Sequence, residues 1–278
     1  MRAHPLLTRV AVLLLSFVSA IAVASERQDA RLLTATKVLD ELLQMPEQNI
    51  PTWLLERAYA IAVVPDVIKV GLGIGGRRGK GVLVVRKDNG EWSNPIFVNL
   101  TGGSFGFQVG VQSADVVLVF TSRHSIEGIV GGKVTLGADA SVAAGPVGRQ
   151  SSAATDVGLT AQVYSYSRAS GLFAGVALDG SALTIDHRSN ETFYRRPGIL
   201  ASEIIKDSTP PTSAAAQQFI AAVEYSVRGT RATAATRETA TSTPRLNEPT
   251  TTGQPASTSG GVTTYPLEDP NPGAEPPL

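Results

Sequence analysis

The sequence predicts an α+β fold: a curved, glycine-rich antiparallel sheet with N- and C-terminal helices packed against it. Three observations predict it. Of the chain's 27 glycines, 21 fall between Gly71 and Gly180, among alternating apolar β-formers, and glycine at that density marks strands that bend, bulge or approach another backbone closely. Turn signals cut this stretch at short intervals without a helix-length pattern except Ser122 to Gly131, which favours a meander over alternating βα units. Amphipathic helical periodicity appears only on either side of it.

The first 24 residues carry Arg2 and Arg9, the apolar run Val10 to Val23, and Ala22-Val23-Ala24 before Ser25. That is the layout of a cleaved signal peptide, and the run is shorter than the ~20 residues a membrane span needs. A periplasmic or secreted protein is expected. From Glu26 to Leu43, Leu32, Ala35, Val38, Leu39 and Leu42 recur at helical spacing, with Arg27, Arg31, Lys37, Asp40 and Glu41 elsewhere on the wheel. Such a helix packs on a sheet or lies on a membrane surface. Met45 to Pro51 breaks the pattern, and Trp53 to about Tyr59 reads as a second helix.

Ala60 to Val64 reads as a buried strand that Pro65 ends. The run Gly71 to Arg86, GLGIGGRRGKGVLVVR, opens as a basic glycine turn and closes as strand. Lys87-Asp88-Asn89-Gly90 then turns the chain, so Gly81 to Arg86 and Glu91 to Leu100 form a hairpin. Further strands are predicted at Ser104 to Val111, Val116 to Phe120, Lys133 to Ala144, Ala154 to Ser167, Gly171 to Leu178 and Ser181 to Asp186. Leu200 to Ile205 is a short helix. A longer one runs from Thr212 to Val227, with Phe219, Ile220, Val223 and Val227 on one face and Gly229 as its end. The organisation expected is a signal peptide over 1–24, a folded domain over 25–228, and a tail over 229–278 that is too poor in apolar residues to fold.

Composition excludes several functions. The chain has 24 basic and 24 acidic residues, and removal of 1–24 leaves it near −2, so no bulk attraction to nucleic acid is expected. It has no cysteine, hence no disulfide framework, thiolate metal site or cysteine nucleophile. Three histidines, His4, His124 and His187, are too scattered for a histidine metal site. Neither a metal nor a cofactor is expected.

Two motifs invite chemistry and lack its context. Gly71, Gly73 and Gly76 satisfy G-x-G-x-x-G, with Glu91 at the distance of a ribose-binding acid, but the motif must lead into a helix and here precedes Val82-Leu83-Val84-Val85. Gly102-Gly103-Ser104-Phe105-Gly106 matches G-x-S-x-G, with Asp115 or Asp156 and then His187 following. A serine hydrolase would need a strand before Ser104 and a helix after it, and Phe105 to Val111 alternates as a strand. The chain is therefore read as a non-enzyme. The strongest charge signal is Lys69, Arg77, Arg78 and Lys80, with no acid between Asp66 and Asp88; such a set suits anionic head groups or keeps a strand edge soluble.

The succession Ile50-Pro51, Leu54-Leu55, Ala62-Val63-Val64-Pro65, Gly71 to Gly76, Trp92-Ser93-Asn94-Pro95, Gly102 to Gly110, Ala144 to Arg149, Tyr164-Ser165-Tyr166-Ser167 and Gly171 to Gly175 resembles the SYLF domain family, over about residues 30 to 227. The resemblance implies membrane-lipid binding, with phosphoinositide and actin binding in eukaryotic members and phospholipid or fatty-acid binding in exported bacterial ones. It further implies lipid contact by an N-terminal amphipathic helix, here Arg27, Arg31 and Lys37, and no catalysis. The lipid-binding set expected is thus Lys69, Arg77, Arg78 and Lys80, joined by Arg149, Arg168 and the three basic residues of that helix. The alternatives are a structural envelope protein that contacts another envelope component and, less favoured, a serine hydrolase using Ser104.

Overall fold

Residues 26–42, 50–146, 161–169, 172–209, 211 and 213–241 are described by a computed structural model of the chain. The signal segment, Arg149, Asp156 and residues 242–278 lie outside them. The described residues up to Thr239 form one compact unit; of a second, which begins at Ala240, only the last two residues of the final helix are described.

The chain opens with helix α1 over residues 26–42 and the short α2 (Thr52–Glu56). Two very long strands follow, β1 (Ala60–Val85) and β2 (Ile96–Phe120), then α3 (Arg123–Val130), β3 (Lys133–Thr135), β4 (Val142–Ala144), β5 (Val163–Ala169), β6 (Leu172–Gly175) and β7 (Ser181–Ile185). Helices α4 (His187–Tyr194), α5 (Ala201–Lys206) and α6 (Ala214–Thr241) complete it. The seven strands make one sheet in which every pairing but β4 with β5 is antiparallel.

Both faces of that sheet are covered. One meets α1, α2 and α6 through Leu32, Leu39, Leu54, Phe219 and Val223, packed on Ile61, Val63, Val82, Val84, Phe97, Val117, Val119 and Tyr166. The other meets α3 and α5 through Ile126, Ile129 and Ile204, packed on Ala62, Val64, Leu83, Val85, Ile96, Val98 and Leu118. Coverage on both sides explains the unbroken apolar runs Ala60–Val64, Val82–Val85 and Val116–Phe120, which an antiparallel sheet wetted on one face would not carry.

The structure departs from the sequence reading at Pro65. The strand does not stop there: β1 continues for 26 residues, with register shifts between Val64 and Val67 and between Gly71 and Gly73. Asp66, at φ 48°, forms the first irregularity, and Pro65 sits at it, where the ladder asks no hydrogen bond of its nitrogen. The glycine run is accordingly strand paired with β2, not a turn. Its density has a cause in the path of the ribbon, which doubles back so that the Arg86 amide donates to the Tyr59 carbonyl at 2.7 Å. A Cβ on Gly81 would lie 2.5 Å from the Val63 carbonyl oxygen, and one on Gly79 2.7 Å from Val64 and Val67. Only glycine admits that approach.

The hairpin turn at Lys87–Gly90 is where the sequence places it, with Gly90 at φ 85°. The segment Lys133 to Ala144 yields only β3 and β4, and β2 absorbs three predicted strands into one. Helix α4, unforeseen, begins at an Asp186 cap that accepts from the Ser189 amide, and α6 runs past Gly229 to Thr241 through alanine-rich sequence of high helix propensity. Among the described residues no helix is long and apolar enough to cross a membrane.

Candidate functional site

A groove of about 340 Å³ lies between α1 and two stretches of β1 on either side of Gly71–Gly76, lined by Arg31 and Thr34 from α1 and by Pro65, Asp66, Ile68, Arg78, Gly79 and Lys80 from β1. Strand pleat decides which basic residues reach it. With no irregularity between Gly73 and Leu83, Arg78 and Lys80 share a face with Val82 and Val84, which pack beneath α1. Arg77 shares the opposite face with Leu83, and Lys69 shares it with Val67.

Asp186 organises the groove. Its Oδ2 lies 3.4 Å from Arg31 Nη1 and 3.9 Å from Lys80 Nζ, and it accepts from the Ser189 hydroxyl at 2.7 Å. Burial opposes ionisation of this carboxyl, but the two Ser189 hydrogen bonds, with Lys80 and Arg31, outweigh it and hold the group below its ordinary range. Burial pulls the Arg31 guanidinium below its usual value while Asp186 opposes that; Arg31 also stands 5.2 Å over the Phe97 ring. Arg31 is thus an internal tie between α1 and the start of α4. Lys80 touches the same carboxylate oxygen loosely from a half-exposed position, and Arg78 is exposed.

The other predicted residues scatter. Burial lowers the Arg77 value, countered by Asp179. Arg168 pairs with Glu41 of α1 and with Asp115, 3.3 Å away and directly opposite it on β2; it joins α1 to the sheet. Lys37 reaches Glu41 along its own helix at 3.8 Å, and Arg27 is exposed one turn before Arg31. Of the nine expected residues the structure brings Arg31, Arg78 and Lys80 into one groove. Sequence reasoning missed Asp186, whose signal was an N-cap aspartate before the helical stretch His187 to Tyr194.

Neither catalytic motif gains its context. Ser104 lies within β2, opposite Gly75 of β1, with strand on both sides in place of the strand-to-helix elbow. His187 is an exposed first residue of α4, and His124 lies 3.6 Å from Glu127 on α3, both exposed.

Residues 101–225 match the family described as "Ysc84: Las17-binding protein actin regulator". The chain is 34% identical over 182 residues to the human SH3 domain-containing YSC84-like protein 1, covering 63% of this chain and 53% of that protein. It is 38% identical over 151 residues to Protein YSC84 of Saccharomyces cerevisiae, covering 53% and 32%. LAS seventeen-binding protein 3 of the same yeast matches at 35% over 173 residues, covering 61% and 38%. The chain therefore spans about half the length, or less, of these curated relatives; the family description and the name of the third relative are those of binding or regulatory proteins. With these matches across the same sheet and helices, residues 101–225 carry a domain of the Ysc84, or SYLF, family.

Proposed function

We propose that the protein is an exported, non-catalytic binder of membrane lipid, phospholipid or fatty acid, acting at a membrane surface in the periplasm. The observation that carries the reading is the groove in which Arg78 and Lys80 stand beside the exposed Ile68, with Arg31 beneath. Asp186 pairs with Arg31 and more loosely with Lys80, and Asp66 also lines the groove, so the net charge there is about +1, with Arg78 and Lys80 the two cations turned toward an anionic head group. At ~1 kcal/mol for each cation near an anionic leaflet, they supply about 2 kcal/mol, a roughly thirtyfold effect that salt screens. Export rests on the signal-peptide pattern of residues 1–24.

The test is cosedimentation of the chain from Ser25 onward with neutral and phosphatidylglycerol vesicles across a salt series. The Arg78→Gln/Lys80→Gln pair should lose at least tenfold in affinity for the anionic vesicles at low salt, and Arg77→Gln, on the opposite face, much less. Equal binding by wild type and the double variant would remove the groove from the account.

A second reading, a protein partner, draws on the relatives named for Las17 binding and on a separate groove of about 470 Å³ floored by Tyr59, Val85, Ile126 and Ile205. It expects the protein to ignore every vesicle and to be retained by an envelope or other protein through that groove, with binding lost in Tyr59→Ala.

A further inference from the structure

Among the described residues, strand β2 has a neighbour besides β1 toward each of its ends but not along its middle. Strand β2 pairs with β7 over Val98–Gly102 and with β5 over Asp115–Phe120. Between these ladders, among the described pairings, residues 103–114 have β1 alone. The middle of the β1–β2 pair therefore leaves the sheet as a two-stranded ribbon.

One face of that ribbon carries apolar side chains in the open. Ile68 is 49% exposed, Val70 48% and Val111 72%. Ile68 and Val70 are two residues apart on β1, and Val70 pairs directly with Val111 on β2, so all three share a face. A solvent-facing strand would alternate to polar residues there, and a cluster of exposed apolar residues marks an interaction surface. Its surroundings select the partner. Ile68 also lines the cationic groove with Arg78 and Lys80, and Lys69 lies on the opposite ribbon face. Apolar side chains bordered by cations fit an anionic bilayer, the cations among head groups and the apolar groups below them.

Helix α1 is not available for that work. Leu32, Ala35, Val38, Leu39 and Leu42 are all within 2% of complete burial and hold the core beneath α6, so giving that face to lipid would open the domain.

We propose that the ribbon face of Ile68, Val70 and Val111 is the membrane-inserting element and enters the boundary between head groups and acyl chains of an anionic bilayer. This rests on the lipid reading above and adds where the bilayer is touched and by what. The occupant is a lipid surface; a second copy of the chain on the same face is the rival.

The chain's lack of cysteine makes the test direct. Val70→Cys, Val111→Cys and, on the exposed side of α1, Leu33→Cys are each labelled with an environment-sensitive fluorophore, checked for native circular dichroism, and mixed with phosphatidylglycerol vesicles with and without lipids bearing a shallow nitroxide quencher. The labels at 70 and 111 should brighten severalfold and be quenched by the nitroxide lipid, and the label at 33 should do neither. Cosedimentation with quenching at 33 but not at 70 or 111 overturns the ribbon and leaves the lipid reading standing. Absence of cosedimentation with any vesicle overturns both. Brightening at 111 that follows protein concentration without lipid assigns the face to a second copy and likewise overturns the proposal.

Discussion

At its two ends β1 is among the most deeply buried backbone in the molecule, with Ala60 to Val64 and Val82 to Leu83 at no more than 1% exposure between two layers of helices. Over its middle the same strand carries Ile68 and Val70 about half exposed, and its partner β2 has no further strand on its other side there among the described pairings. Glycine is abundant in both parts and does different work in each. At Gly79 and Gly81 it lets one end of the ribbon press on the other, whereas a Cβ on Gly76 would find nothing closer than the Gly102 carbonyl oxygen at 3.8 Å. Closure builds the scaffold at the ends, and the middle is left open.

The sharpest way to break this contrast is to add one methyl group to each part. Gly81→Ala places a Cβ against backbone that cannot move without reopening the strand, and should cost about 3 kcal/mol by overpacking. Gly76→Ala makes no contact tighter than ordinary van der Waals distance, and its effect should stay within about 0.5 kcal/mol. Urea unfolding followed by circular dichroism measures both. Similar losses in the two variants would show that the ribbon is as tightly packed as its ends.

How far the sequence revealed these two regions depended on the range of the contacts. Local signals sufficed for α1, for the face of Phe219 and Val223 on α6, for the turn at Lys87–Gly90 and for the buried runs at both ends of β1. The unity of β1 was hidden because Pro65 and the glycines are strand breakers on average, and only the bulge at Asp66 and the self-contact at Gly81 show why they are tolerated here. Reading the run as a turn also hid the consequence of pleat, that the adjacent Arg77 and Arg78 must face opposite ways. The carboxylate that binds Arg31 lies 155 residues further along the chain, in a segment rich in polar residues, and no periodicity in either segment links the two.

Asp186 joins the scaffold to the site, so removing its charge tests both together. Asp186→Asn keeps a good helix cap but leaves the largely buried Arg31 without a counter-ion, a loss of about 2 kcal/mol. The pH dependence follows from the direction of the shift. A carboxyl that titrates lower in the folded than in the unfolded state stabilises the fold above its unfolded value, ~3.9, and that contribution disappears as pH falls through the folded value. Wild type should therefore exceed Asp186→Asn in stability at pH 7, and the gap should close below about pH 4. A gap unchanged down to pH 2.5 would mean that the charge of Asp186 is not what holds α1 in place.

The smallest expected effect separates contact from stability within the ribbon itself. Val70→Thr and Val111→Thr keep the branched shape and strand preference of valine and replace one exposed methyl group with a hydroxyl. In water each should change unfolding free energy by less than about 0.5 kcal/mol, since Val70 is half exposed and Val111 largely so. If the ribbon enters a bilayer, the same double variant should weaken vesicle binding at high salt, where the cations contribute least. The groove variants Arg78→Gln/Lys80→Gln should show the reverse pattern, with their largest loss at low salt. The two pairs thus divide the interaction into an apolar and an electrostatic part carried by neighbouring residues of one strand. A Thr pair that unfolds more easily would instead place Val70 and Val111 in the packed scaffold, and the distinction between the ends and the middle of β1 would fail.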